Sequence, residues 1–301
     1  MWSLGLLQMD FFYRHKPWYA GQFIRMISPK FKPTKNTVLY FSVLLNKLKT
    51  KLLSVLVRDV ESMFINASIQ LPVKDAKPDF AFMEYFIAEL EAERIAELEA
   101  YLDVTGLSDC ELTEDERDAL DGYDSLTFED FNITDVFDIK NTKSILSRDI
   151  IPSSGTVPYL CASADNNAIS SYISHDKSLL DKGDCIFIGG KTFVVTYQEH
   201  DFFSNDSHNL TLTLKNNDYR SKLSQIYLST CVRKSLSYKY SWGDSISNRK
   251  IQKDNIRLPS ASKKVDYSSM ELLISAIQKT VIKDVIAYVD TKTQAHKEVI
   301  H

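Results

Sequence analysis

Apolar positions at helical spacing recur in two related stretches of the chain. One stripe of apolar side chains follows the helical period from Asp79 to Leu102, and a second runs from Asp266 to about Asp290. The two stretches lie in a gapless internal repeat, in which residues 69–103 match residues 256–290 at 12 of 35 positions with a constant offset of 187. Both copies begin with an Ile-x-Leu-Pro segment. The pattern predicts two long amphipathic helices, one in each half of the chain.

Each predicted helix needs a surface on which to bury its apolar stripe, and the obvious partner is the other copy. The residues predicted to pair are Met83, Ile87, Leu90, Ile95 and Leu98 in the first helix and Met270, Ile274, Ile277, Val281 and Val285 in the second. At about 1.5 Å per residue, each helix is roughly as long as one turn of B-DNA. The sequence therefore predicts two half-molecules joined through paired helices.

Between the helices the pattern changes to short β-rich runs separated by Asn, Asp, Ser and Gly. The predicted strands are Val157–Cys161, Ala168–Ile173, Cys185–Gly189, Phe193–Tyr197 and Asn209–Leu214, and a helix is predicted over Lys222–Leu236. The connector before them is acidic, and its Thr113 and Glu116 have the spacing of a capping box. Near the start of the chain, Asp10-Phe11-Phe12 echoes Asp201-Phe202-Phe203, which predicts a shortened first copy of the β-rich module.

These patterns together predict an α+β protein, with a mixed α/β module and two long paired, coiled-coil-like helices. The predicted spans are 1–78 for the remnant of a first module, 79–103 for the first helix, 104–126 for the acidic linker, 127–259 for the complete module and 260–301 for the second helix and tail. No run approaches the 18 or more apolar residues of a membrane span. A cytoplasmic protein is expected.

Charge is strongly segregated along the chain. Residues 1–60 hold ten Lys or Arg against two acids, whereas residues 61–130 hold four against twenty. The basic block is either a solvated lysine-rich face or a nucleic-acid footprint. The acidic faces of the first long helix would be repelled by DNA phosphates, so this helix is expected to be a spacer or a docking surface. The four cysteines form no Cys-x-x-Cys pair, so neither a metal site nor a disulfide framework is predicted.

Three local segments, together with the repeat, resemble the DNA specificity subunits of type I and type IIB/IIG restriction-modification systems. The segments are Pro158–Ile169, Gly183–Lys191 followed by a hydrophobic strand, and Phe203–His208. The layout of module, long helix, module and long helix is also similar to that family. The resemblance implies a target recognition domain that reads half of a bipartite DNA sequence. It further implies that the paired helices act as a spacer and as a dock for methyltransferase subunits, and that the chain itself carries no catalysis.

The chain departs from the family pattern because it holds one complete recognition domain and a truncated first one. Two copies that pair their long helices would restore two half-sites. The partners implied by the resemblance are double-stranded DNA, a methyltransferase subunit, a restriction subunit and a second copy of the chain. Two alternatives stay open, which are a helical protein-interaction scaffold and a truncated, inactive recombination partner of a longer specificity subunit.

Loops that read DNA need side chains that reach base edges or phosphates. The candidate DNA-binding residues are Thr142, Lys143, Ser144, Ser163, Asn166, Asn167, Lys191, Thr192, Ser204, Asn205, Asp206, Ser207, His208, Lys239, Tyr240 and Trp242. Ordinary polar turns would explain the Asn, Asp and Ser residues equally well, because these side chains satisfy their own backbone in turns. For the aromatic residues the alternative is a place in the core.

Nucleotide binding and catalysis find little support in the sequence. Gly189-Gly190-Lys191-Thr192 resembles part of a Walker A loop, but Cys185 stands where that loop needs its first glycine, and a strand is predicted where a helix should follow. His208 beside Asp206 has no nucleophilic partner at a recognisable spacing. No cofactor, no metal and no catalytic residue is predicted. An independent nuclease is left as a third class, which metal-dependent cleavage by the purified chain would reveal.

Overall fold

The structure, a computed structural model, describes residues 1–55 and 57–300, with side chains described up to residue 294. The chain forms two compact units, one made of Met1–Ser108 with the segment from Val285 onward, and the other of Asp109–Asp284. We call them unit 1 and unit 2. Their helices and strands confirm the α+β class.

Unit 1 is built on a small antiparallel sheet covered by helices. Its elements are β1 (Trp2–Gly5), β2 (Asp10–Tyr13), β3 (Ile24–Ile27), α1 (Lys35–Lys47), α2 (Lys49–Leu53), α3 (Val60–Ile65), β4 (Val73–Lys74), β5 (Lys77–Pro78) and α4 (Phe80–Val104). The sheet has the order β2-β1-β3. Its core buries Trp2, Leu4, Phe11, Phe41 and Met83. The indole of Trp2 donates to Ser42 Oγ at 2.8 Å, which ties β1 to α1.

Unit 2 contains the larger part of the β structure. Its elements are α5 (Glu114–Asp121), β6 (Phe128–Asn132), α6 (Ile133–Val136), β7 (Phe137–Asn141), β8 (Val157–Leu160), β9 (Ile169–Ile173), β10 (Cys185–Ile188), β11 (Val195–Gln198), β12 (Phe203–Ser204), β13 (Leu210–Leu214), α7 (Lys222–Leu236), α8 (Asn248–Ile251), β14 (Asn255–Ala261) and β15 (Lys264–Val265). The last helix, α9 (Tyr267–Ile300), begins in this unit.

The strands of unit 2 form three sheets. An antiparallel sheet has the order β11-β10-β13-β7, a second has the order β12-β8-β9, and a third has the order β15-β14-β6. Strand β10 is buried along its whole length, and Ile186 and Ile188 pack in one core with Leu228 and Val232 of α7. Helix α7 has the bounds that the sequence predicts, and β8, β9, β10 and β13 lie within one residue of their predicted spans.

The two halves of the repeat have the same local structure. Before each long helix the chain makes a tight turn whose central residues have positive φ, at Asp75 and Ala76 in the first copy and at Ser262 and Lys263 in the second. The N–H of Asp79 then donates to the carbonyl of Pro72 at 2.8 Å, and the N–H of Asp266 donates to that of Pro259 at 2.9 Å.

The structural repeat extends upstream of the matched sequence. Thr34 and Ser221, which are also 187 positions apart, are the N-caps of α1 and α7. Each hydroxyl also donates to a glutamate of the repeated long helix, Thr34 to Glu84 and Ser221 to Glu271. The same cap-to-helix contact thus fixes a helix pair in both halves.

Four residues of the two apolar stripes do not pair as the sequence predicts. Met83 and Met270 are fully buried, but Met83 packs in the core of unit 1 and Met270 in that of unit 2. Ile277 and Val281 remain 44% and 70% exposed. The prediction that these four residues pair helix with helix is therefore wrong for this structure, because Met83 and Met270 are buried by their own units and Ile277 and Val281 face solvent. Ile87, Leu90, Ile95, Leu98, Ile274 and Val285 are half-buried, and their pairing stays a prediction.

Helix α9 is about ten residues longer than predicted, and its later part belongs to unit 1. There Val289 is buried, and Lys292 Nζ lies 3.8 Å from Glu91 Oε2 of α4. Lys35 Nζ of α1 lies 2.5 Å from the other oxygen of Glu91. The hydrogen bond from Lys35 is the main reason that the pKa of Glu91 is lowered. One carboxylate therefore joins α1, α4 and the later part of α9.

From Asp109 onward the acidic connector is part of unit 2. Thr113 and Glu116 form the predicted capping box at the start of α5, and Gly122 is its C-cap. The carboxylate of Glu116 accepts a hydrogen bond from Ser275 Oγ at 2.6 Å and lies 3.1 Å from Lys279 Nζ. Burial alone would raise the pKa of Glu116, but these two contacts and the N–H of Thr113 lower it to about 2. The connector is thus docked on α9.

Candidate nucleic-acid interface

Four of the candidate segments meet around one cleft of unit 2. The cleft has a volume of about 260 Å³ and is lined by Cys161, Ala162, Ser163, Lys191, Thr192, Asn205, Asp206, Asn209 and Trp242. Six of these residues were selected from the sequence, namely Ser163, Lys191, Thr192, Asn205, Asp206 and Trp242. The fold therefore gathers, at one place, donors and acceptors that are up to 79 positions apart in the chain.

Two glycines allow these loops to approach one another. A Cβ atom on Gly190 would lie 2.3 Å from the carbonyl oxygen of His208, and one on Gly189 would lie 2.6 Å from Ala162 Cβ. Both distances are far below ordinary contact, so any larger residue would push the loops apart. The Gly-Gly pair in the Walker-like segment therefore serves close packing between loops. The segment lies between β10 and β11, as the sequence predicts.

Asn209 is the central hydrogen-bonding residue under the cleft. Its side chain is 1% exposed, accepts from the N–H of Gly190 at 2.9 Å and donates to Ser204 Oγ and to Asn205 Oδ1, both at 3.0 Å. Asn209 is not among the individual candidate residues, because an asparagine at the start of a predicted strand gives no sign that it is buried. Its contacts fix the loops at residues 189–192 and 204–209 relative to each other.

The carboxylate of Asp206 organises the exposed rim of the cleft. It accepts from the N–H of His208 at 2.9 Å, His208 Nδ1 lies 2.8 Å away, and Lys191 Nζ lies 3.2 Å away. Partial burial would raise the pKa of Asp206, but the hydrogen bonds from His208 and Lys191 lower it. The side chains of Lys191 and His208 remain 62% and 76% exposed. Asp206 therefore holds a cation and an imidazole in place while both face solvent.

Residues 142–144 support the loop at residues 204–209 through hydrogen bonds. Thr142 is 4% exposed, and its hydroxyl donates to the carbonyl of Asp206 at 2.7 Å. Ser204, also buried, bonds to the same hydroxyl at 3.0 Å, and Ser144 Oγ donates to the carbonyl of Asn205. Lys143 Nζ donates to the carbonyls of Ser178 and Leu180. The side chains of these four candidates are thus engaged within the protein.

Asn166 and Asn167 lie outside the cleft. Both have positive φ, which is tolerated well by asparagine. Asn166 Nδ2 donates to the carbonyl of Ile169, and Asn167 Nδ2 donates to that of Tyr197, each at 3.0 Å. The side chain of Asn166 therefore stabilises the turn before β9, as expected for an ordinary polar turn, whereas that of Asn167 ties the turn to β11; both residues are exposed.

Of the two aromatic candidates, Tyr240 is buried and Trp242 is exposed. Tyr240 is 3% exposed and packs against Phe193, and both its hydroxyl and Lys239 Nζ bond to the buried carboxylate of Asp254. Trp242, in the turn closed by Ser241 and Asp244, is 77% exposed at the edge of the cleft. The core interpretation therefore applies to Tyr240, whose side chain is not accessible to DNA in this structure, and does not apply to Trp242.

Two properties of the described part of the chain bear on other classes of function. None of the helices within residues 1–55 and 57–300 has the length and apolar character of a membrane-spanning segment. No cluster of three or more His, Cys, Asp or Glu side chains suited to a metal ion is found among them.

Comparison with known proteins identifies the family. The family model "Type I restriction modification DNA specificity domain" matches residues 1–100 and 126–287. The chain is 22% identical over 271 residues to S.BcgI, the specificity subunit of a type II restriction enzyme from Heyndrickxia coagulans, which covers 88% of this chain and 73% of that protein.

Solved structures of specificity subunits are also similar to the chain. The type I S subunit from M. genitalium matches with a TM-score of 0.43 and 12% identity, over 80% of this chain and 67% of that one. The HsdS subunit from Thermoanaerobacter tengcongensis matches with a TM-score of 0.38 and 14% identity, over 81% of this chain and 60% of that one. These structural likenesses are weak, and the assignment rests on the family model, which matches well over half of the sequence. The chain therefore belongs to the type I restriction-modification DNA specificity family and is a DNA-recognition subunit of a restriction-modification system.

Proposed function

We propose that the cleft of unit 2 is the surface through which this chain reads DNA, within a recognition domain that spans residues 127–259. The observation that carries the proposal is the meeting of Ser163, Lys191, Asn205 and Trp242 at one exposed edge. A groove-reading surface needs side-chain donors and acceptors held rigidly at the ends of strands. The hydrogen bonds of the buried Asn209 supply that rigidity.

The side chains at the cleft divide into two roles. Lys191 is an exposed cation and suits a phosphate, which sets register without reading sequence. Asn205 in the cleft, and the exposed Ser207 and His208 beside it in the same loop, carry hydrogen-bond donors and acceptors, as base edges require. Asp206 positions Lys191 and His208, and Trp242 is placed to pack against the sugar-phosphate backbone or a base. Thr142, Ser144, Ser204 and Tyr240 act by supporting the loops.

The chain acts without catalysis of its own and positions methyltransferase subunits on DNA, as its family membership suggests. We further infer that the chain forms a homodimer, since one complete recognition domain in each copy would restore two half-sites. A methyltransferase partner, a restriction partner and a cytoplasmic location are part of the same proposal.

The experiment that tests the reading surface selects preferred sequences from a randomised double-stranded DNA library with the purified chain. Asn205→Ala and His208→Ala are expected to change the preferred sequence, because each removes a base contact that contributes about 1–3 kcal/mol of discrimination. Lys191→Ala is expected to weaken binding to all sequences alike and to lower the slope of log K against log salt by about one.

Lys177→Ala is the matched control, because Lys177 is an exposed lysine of unit 2 that does not line the cleft. It should leave the base preference unchanged. An unchanged preference in both Asn205→Ala and His208→Ala, in proteins that remain folded, would remove the cleft from consideration as the reading surface. Binding with no sequence preference by the unaltered chain would instead favour the scaffold interpretation.

A further inference from the structure

Unit 2 has a second and much larger depression, which we call the α7–α9 groove. It has a volume of about 1020 Å³ and lies between α7, the first turns of α9 and the connector. Its apolar lining consists of Leu120, Tyr123, Phe128, Tyr227, Cys231, Leu236, Leu273, Ile274 and Ile277. Burial raises the pKa of Cys231 to about 12, so the floor of the groove carries no thiolate at neutral pH.

The rim of the α7–α9 groove is basic. Lys234, Lys239, Lys253 and Arg257 line it, together with the two acids Asp130 and Asp254. Lys239 is paired with Asp254, and Arg257 stands opposite Asp130 in the β6–β14 register. Lys234 and Lys253 are exposed, and neither takes part in an ion pair among the described side chains. The groove therefore offers an apolar floor beside two cations available to a partner.

One helix of the chain has a face with the complementary chemistry. On α4, Phe82, Tyr85, Phe86, Glu89 and Glu93 occupy positions i, i+3, i+4, i+7 and i+11, so they lie on one stripe. This outer face adjoins the one that carries the buried Met83, and at its edge the ring of Phe86 lies 6.1 Å from that of Tyr40 of α1. Its aromatic residues are 46%, 63% and 44% exposed in chain order, and both glutamates are exposed. No described ion pair involves Glu89 or Glu93.

The repeat shows that this face is a packing surface in the other half of the chain. Tyr85 and Phe86 correspond, at the offset of 187, to Leu272 and Leu273 of α9. The connector with α5 lies over those leucines, and Leu273 is only 1% exposed. On α4 the same positions carry larger aromatic side chains, and these are 63% and 44% exposed.

The geometry points to a contact between two copies of this chain, in which the outer face of α4 of one copy lies in the α7–α9 groove of the other. The aromatic side chains would meet the apolar floor, as in helix-in-groove recognition, where anchors recur at i, i+3, i+4 and i+7. Glu89 and Glu93, one and two turns further along, would then face the lysines of the rim. Burial of the three aromatic side chains gives such a contact affinity. The pairing of the two carboxylates with the lysines fixes its orientation.

This inference rests on the homodimer proposed above, whose contact surface it specifies. The test reverses the charges of the α4 outer face in one double variant and those of the α7–α9 groove in another. Glu89→Lys/Glu93→Lys alters only the helix, and Lys234→Glu/Lys253→Glu alters only the groove. Sedimentation velocity at low salt measures self-association, and binding to the selected DNA sequence reports whether unit 2 remains folded.

Each double variant alone should be monomeric at concentrations where the unaltered chain dimerises, with a dissociation constant raised by about tenfold or more, because like charges then face each other. An equimolar mixture of the two variants should form a heterodimer, since both of its contacts again join opposite charges. The control Glu99→Lys/Glu111→Lys makes the same change in net charge off the outer face and should dimerise like the unaltered chain.

The outcomes separate the two proposals. Dimers that persist in both double variants would overturn the groove contact while leaving the homodimer in place. A chain that is monomeric at every concentration would overturn the homodimer and this contact together. Two monomeric variants that fail to associate when mixed would show that the charges act otherwise than by facing each other, and would also overturn the contact.

Discussion

Replacement of Gly190 by alanine tests whether close packing of two loops builds the reading surface. In the structure a Cβ at this position would lie 2.3 Å from the carbonyl oxygen of His208 and 2.8 Å from its carbonyl carbon, whereas ordinary contacts begin near 3.4 Å. Both obstructing atoms belong to the backbone, so no side-chain rotation relieves the overlap. The loops at residues 189–192 and 204–209 must separate by about 1 Å, which would strain the hydrogen bond from Gly190 to Asn209.

Overpacking of this kind costs about 1–3 kcal/mol. For a domain of 150–250 residues, each kcal/mol lowers Tm by about 2–4 °C, so unit 2 should melt about 2–12 °C lower. Lys191 and His208 lie on the two separated loops and would move apart. Affinity for the selected DNA sequence should fall about tenfold, in keeping with the 1–3 kcal/mol that a misplaced base contact costs.

The assay combines calorimetry with titration of the selected DNA duplex, and Gly243→Ala is the matched control. Gly243 follows Trp242 on the surface, and a Cβ there would meet nothing within 4 Å. The control should change Tm by less than the Gly190 variant and leave DNA affinity intact. If Gly190→Ala melts and binds DNA like the control, the loops are not held by this close approach, and the account of the cleft fails.

Two further predictions concern stability. Ser221→Ala removes both the N-cap of α7 and the hydroxyl that donates to Glu271. It should lower the free energy of unfolding, measured by urea titration, by about 1 kcal/mol. The control Ser170→Ala, at an exposed position of β9, should leave the free energy of unfolding unchanged. Because the pKa of Glu116 is lowered to about 2 in the folded chain, its contribution is present above its unfolded pKa, near 4.3, and is lost as pH falls from there toward 2. Glu116→Gln should flatten that part of the stability curve; an unchanged curve would mean that Glu116 is not the group that titrates.

Local features of the fold are predicted well from the sequence, since they depend on neighbours along the chain. The capping box at Thr113 and Glu116, the bounds of α7 and the start of α4 follow from cap chemistry and helical period. Several strand bounds follow from alternation and turn residues in the same way. The resemblance to the family also rests on residue order alone, because the repeat offset and the three short segments are properties of the sequence.

What packs against what was decided by tertiary structure alone. An apolar stripe shows that a helix face is buried but not which surface buries it, and for this reason Met83 and Met270 were predicted to pair with the other helix when each lies in the core of its own unit. For the same reason the sequence does not distinguish Tyr240, which is buried, from Trp242, which is exposed, although both are aromatic residues in one polar segment.

The candidate interface shows both contributions. The residue types, Asn, Ser, Lys and His in loops between strands, were determined by the sequence and could be selected from it. Their meeting depends on two glycines that admit close backbone contact and on Asn209, whose side chain bonds to Gly190 of one loop and to Ser204 and Asn205 of the other. Such contacts depend on distance in space, which residue order fixes only through the complete fold.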